Sequence, residues 1–100
     1  MRNAKFETTG DTKVFYGRTL HRIRAVVGIP AIGVAAGDVG GWIENIRNLT
    51  ESGNAWVSGD AQVFGDAQVY GNARVCGNAQ VCGVAKVYGN AGVCGRGGVW

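Results

Sequence analysis

Gly53-Asn54-Ala55-Trp56-Val57-Ser58, Gly59-Asp60-Ala61-Gln62-Val63-Phe64 and Gly65-Asp66-Ala67-Gln68-Val69-Tyr70 are three consecutive copies of one six-residue unit. The unit continues as Gly71-Asn72-Ala73-Arg74-Val75-Cys76, Gly77-Asn78-Ala79-Gln80-Val81-Cys82, Gly83-Val84-Ala85-Lys86-Val87-Tyr88 and Gly89-Asn90-Ala91-Gly92-Val93-Cys94. A degenerate copy, Gly95-Arg96-Gly97-Gly98-Val99-Trp100, follows. Gly and Val recur in all eight copies. A short fixed period is the signature of a solenoid, whose units bury their apolar faces only by stacking on one another. Within each unit Ala-x-Val-x alternates with period two, which predicts a short strand with Ala and Val inward and the variable residues outward. Gly followed by Asn or Asp supplies the corner, because these residue types accept turn conformations, including positive φ.

The chain has 100 residues, 18 of them Gly and one Pro. That length fits one small domain burying roughly two-thirds of its extended surface. The net charge is +3. Arg2, Lys5, Lys13, Arg18, Arg22 and Arg24 carry much of the basic bias and read as solvated surface charge. They are too sparse for the basic patch of a nucleic-acid binder. No apolar run suggests an export signal or a membrane span. Three cysteines without a signal peptide favour reduced thiols and a cytoplasmic setting.

The pattern Val-x-Gly-(Asn/Asp)-Ala-x resembles the hexapeptide repeat of left-handed parallel β-helices. The resemblance implies an all-β fold, a short left-handed parallel β-helix in which three hexapeptides make one triangular coil. Residues 37–100 form the β-helix in this reading, with an irregular first coil at 37–52 and regular hexapeptides at 53–100. A two-residue insertion precedes Gly53. Val84, Arg96 and Gly97 depart from the family pattern. Residues 1–36 are expected to form an antiparallel β cap over the first coil, with turns at Gly10-Asp11 and Gly17-Arg18.

The implied coil stacks outward residues in columns about 4.8 Å apart. Ser58, Cys76 and Cys94 share one column, Phe64, Cys82 and Trp100 another, and Tyr70 and Tyr88 a third. Trp56, Arg74 and Gly92 align, which predicts a cation–π pair between Arg74 and Trp56. Asn54, Asn72 and Asn90 form a corner ladder. Trp42, Trp56, Arg74, Asn54, Asn72 and Asn90 are read as structural. The apolar outward residues Phe64, Tyr70, Tyr88, Trp100 and Cys82 are the candidate binding surface, since exposed apolar patches mark contact sites.

Residues 17–100 further resemble small hexapeptide-repeat proteins of phages and prophages, and bacterial proteins named acyltransferases on the repeat alone. From this we expect a non-catalytic, phage-encoded scaffold. It would act by homo-oligomerisation, as a dimer or trimer, and by contact with a host protein or small ligand. Inhibition of a host defence process is one form of that role. The rival expectation is an acyl- or acetyltransferase with its site at a subunit interface. Relatives of that kind use a histidine on a coil as general base. The lone histidine here, His21, falls outside the repeats and is a weak candidate. A zinc site of the γ-carbonic-anhydrase kind needs three histidines. No cofactor or metal is expected, nor nucleic acid or membrane as a partner.

Overall fold

The computed structural model describes residues 1–99. Its elements are all strands apart from two short 3-10 turns, Pro30–Ile32 and Ile46–Asn48. Two long strands come first, β1 (Phe6–Phe15) and β2 (Arg18–Ala25), then β3 (Val39–Ile43). Eight two-residue strands follow, one per hexapeptide: β4 (Trp56–Val57), β5 (Gln62–Val63), β6 (Gln68–Val69), β7 (Arg74–Val75), β8 (Gln80–Val81), β9 (Lys86–Val87), β10 (Gly92–Val93) and β11 (Gly98–Val99).

The short strands stack in parallel on three faces. One face is β4-β7-β10, a second is β6-β9, and the third is a six-stranded sheet, β1-β2-β3-β5-β8-β11. Trp56 pairs with Arg74, Gln62 with Gln80 and Gln68 with Lys86, so partners lie one coil apart in the expected register. The fold is a parallel β-helix of about three coils. The first coil is offset: Trp42 pairs with Gln62, and Leu49 bridges to Val69. The extra residues fall between Leu49 and Trp56.

Alternation explains the core. Ala55, Val57, Ala61, Val63, Ala67, Val69, Ala73, Val75, Ala79 and Val81 are all fully buried. Ala keeps the corner side of each strand thin, while Val fills the axis. The corner glycines from Gly53 to Gly95 have φ between 64° and 73°. At Gly53 the stacking adds a second constraint, because a Cβ there would sit 2.5 Å from the carbonyl oxygen of Gly71.

The N-terminal segment differs from expectation in one respect. Gly10-Asp11 makes no turn, and β1 runs straight through it. The antiparallel pairing with β2 shifts register between Thr8 and Thr12, and Gly10 has φ 100°. Glycine here absorbs a bulge rather than reversing the chain. The reversal is at Tyr16-Gly17, both with positive φ (50° and 73°), the geometry that matches the twist of paired strands. β2 pairs antiparallel with β3, which pairs parallel with β5. The hairpin thereby covers the free edge of the first coil, and its tip bends back over the outer face of the solenoid.

Lys5 is a second correction. It is 4% exposed rather than solvated, and its Nζ has no hydrogen-bond partner among the described residues. No helix among the described residues is long and apolar enough to cross a membrane.

Candidate functional site

Two outer faces of the coil have different fates, and the hairpin decides which. On the six-stranded face, Phe64 is 6% exposed because Phe15 packs edge-on against it, with ring centroids 5.7 Å apart. The expectation that Phe64 is an exposed anchor is therefore corrected. The chain's own hairpin tip provides the apolar cover that the sequence reading assigned to a partner. Beside this pair, Lys13 Nζ lies 4.5 Å and Arg22 Cζ 5.0 Å from the Trp42 ring centroid. Arg22 also donates to the Gly59 carbonyl (3.3 Å) and to Asp60 (3.4 Å), fastening β2 to a coil corner.

The expected pair of Arg74 with Trp56 is replaced by this arrangement. Trp56 is buried and Arg74 exposed although the two are neighbours in the ladder, and the cation–π contacts fall on Trp42 instead. A Cβ on Gly40 would lie 2.8 Å from Trp56 Cζ2 and 2.6 Å from the Val57 carbonyl oxygen. The indole fills the space that glycine leaves open, which is why an outward position is sealed.

On the β6-β9 face Tyr88 is open to solvent and Tyr70 is half-buried. Tyr70 and Tyr88 stack with centroids 5.2 Å apart and planes 9° from parallel. Tyr88 is 57% exposed. Gln68 and Lys86 run beside them as an exposed polar column. In the corner ladder, Asn72 Nδ2 donates to Asn90 Oδ1 at 3.5 Å, while the Asn54 backbone N–H donates to the Gly71 carbonyl. Trp100 lies outside the described residues.

The cysteines divide. Cys76 and Cys94 are joined as a disulfide, with Cα atoms 4.5 Å apart, and Cys82 is a half-buried free thiol. The expectation of three reduced thiols is corrected. Coil stacking puts column neighbours at a separation that a disulfide spans, and the side chains turn toward each other rather than running side by side.

A groove of about 640 Å³ opens between the hairpin tip (Gly17, Arg18, Thr19) and the coil corners at Gly65-Asp66 and Gly83-Val84. Its charges are balanced. Arg18 donates to both carboxylate oxygens of Glu44 (2.8 and 3.1 Å), and Arg47 to Asp66 (3.0 Å). Glu44 also accepts the Gly65 backbone N–H at 2.8 Å. Asp60 and Asp66 thus hold arginines rather than their own turns. Arg24 hydrogen-bonds Glu7 and, helped by Arg2, holds its carboxyl below the usual carboxylate range against the opposing effect of burial. His21 sits mid-strand in β2, opposite Thr12 and Ile43, and does not line this groove.

Asn48 escaped the sequence reading. Fully buried, it accepts the N–H groups of Glu44 (3.2 Å) and Asn45 (2.7 Å) and donates to the carbonyls of Gly65 (3.2 Å) and Ala67 (2.8 Å). It stitches the groove floor to the next coil. The spacing of Asn45 and Asn48 signals only the local capping box around the second 3-10 turn, not the bonds to the next coil.

With this geometry in view, the family model described as "YdcK Beta solenoid repeat" matches residues 67–83, from β6 through β8. The chain is a β-helix repeat protein. No curated protein matches it.

Proposed function

We propose that this β-helix is a non-catalytic scaffold that works by surface contact, first with further copies of itself. The observation that carries the reading is the Tyr70–Tyr88 stack, with Tyr88 open to solvent and Tyr70 half-buried, on a face that the hairpin leaves open. Stacked in register, the two rings have little rotamer freedom left to lose on association. Aromatic side chains contribute large contact areas at interfaces. Homo-oligomerisation would bury the stack, and a host protein could use the same surface. The likeness of residues 17–100 to small phage and prophage proteins supports a phage origin, and action on a host defence process fits that origin. A small ligand would be taken in the groove between Arg18 and Arg47.

Against an acyl-transfer enzyme stands His21, which is held in a strand and lies outside the groove lining. Sedimentation of wild type and Tyr88→Asp tests the reading. We expect a dimer or trimer for wild type and a monomer for the variant, with unchanged circular dichroism. A wild-type monomer at tens of micromolar, or an unaltered oligomer in the variant, would sink it.

A further inference from the structure

Past Gly89 the solenoid keeps its ladder and loses its core. Ala85 and Val87 are still buried, whereas Ala91 and Gly97 are exposed and Val93 and Val99 only half-buried. Gly97 stands at an inward position that Ala fills in the other copies and brings no side chain to the axis, while Gly92 and Gly98 lie within β10 and β11, where glycine weakens a strand. The backbone ladder remains. The N–H groups of Arg74, Cys76, Asn78, Gln80 and Cys82 donate to the carbonyls of Ala91, Val93, Gly95, Gly97 and Val99 at 2.7 to 3.0 Å. On their other side, β10 and β11 pair with no strand among the described residues. Where burial fails, a covalent tie stands in: Cys94 of the outer coil is bonded to Cys76 of the coil beneath.

We propose that residues 89–99 form a redox-latched flap, docked on β7 and β8 while the Cys76–Cys94 bond is closed and released when it is reduced. The proposal is independent of the tyrosine surface. Closure needs an oxidant, here a low-molecular-weight disulfide such as oxidised glutathione. One protein thiolate attacks it, forming a mixed disulfide and expelling one small thiol. The second protein thiolate then attacks the protein sulfur of that bond and expels the other. Two protein thiols lose two electrons, and one small disulfide becomes two thiols. Opening is the reverse, driven by excess thiol. Release would bare the β7 and β8 edges together with Val75, Val81 and Val87, a surface suited to strand pairing.

Amide hydrogen exchange on the whole chain tests this, with and without dithiothreitol. Reduction should speed exchange at least tenfold for Arg74, Cys76, Asn78, Gln80 and Cys82. Trp56, Ser58, Gln62 and Phe64, whose N–H groups donate to the middle coil, should not change. The double variant Cys76→Ser with Cys94→Ser should show the fast pattern without reductant and ignore its addition. Thiol titration of the oxidised, denatured monomer should find Cys82 alone. Equal exchange in both redox states would overturn the proposal. So would acceleration of both amide sets together, which means global unfolding, or an oxidised protein with all three thiols free or linked between chains.

Discussion

Lys5 is where a single residue departs furthest from its sequence appearance. Its chain lies at the start of β1, where the Val26 N–H donates to the Lys5 carbonyl at 2.8 Å and the Ala4 N–H donates to Glu51 at 2.6 Å. Enclosed there without a counter-charge, the ammonium is desolvated and its pKa falls from 10.5 to about 8. The sign of the consequence follows from proton uptake. Between pH 8 and 10.5 the unfolded chain binds a proton at this site that the folded chain has given up, so stability rises with pH across that window. Lys13, lowered chiefly by burial, adds to the trend. We expect Lys5→Met to raise the urea midpoint at pH 7 and to flatten the rise between pH 8 and 10. Urea titrations of both proteins at those pH values check it. Nothing in the local sequence marks Lys5 for burial.

Among the elements, β3 and the 3-10 turn after it convert an antiparallel hairpin into a parallel coil. Gly40 and Gly41 let β3 approach the first regular coil, and a Cβ at Gly41 would sit 2.7 Å from both the Ala61 carbonyl oxygen and Val57 Cγ1. Asn48 then closes the turn with four hydrogen bonds, two accepted and two donated. Asn48→Ala should cost about 3 kcal/mol, because four backbone groups lose a buried partner. Chemical denaturation measures it, and a loss below about 1 kcal/mol would mean the turn is held by other contacts. The irregular coil was visible in the sequence as a broken period. The role of Asn48 was not, because an asparagine in a degenerate repeat looks like any corner residue until the coil below supplies its acceptors. Similarly, Phe64 and Tyr88 hold the same place in the hexapeptide. One is buried and the other open because the hairpin tip reaches only one face.

At the scale of the whole molecule, stability is graded along the solenoid axis. Each coil contacts only its neighbours, so a residue's worth depends on how far the described coils on either side enclose it. Val81 is fully buried in the middle coil, and Val99, at the same position one coil later, is half-buried. Val81→Ala should cost about 2–3 kcal/mol and Val99→Ala under about 1 kcal/mol, although the deletion is chemically the same. Thermal or urea unfolding of the pair checks this, and equal losses would show a third layer as well packed as the second.

The sequence by itself determined the parallel β-helix, its coil register and its inward Ala and Val layers. All of these follow from a local rule repeated with fixed period, so each unit carries the full instruction. Only the tertiary structure decided which outward columns are surface. It bent the hairpin over Phe64 and Trp42, buried Lys5, paired Asp60 and Asp66 with distant arginines, and brought Cys76 to Cys94. Those outcomes depend on contacts between a non-repeating segment and a repeating one, or on side-chain rotation between coils. No periodic pattern encodes either.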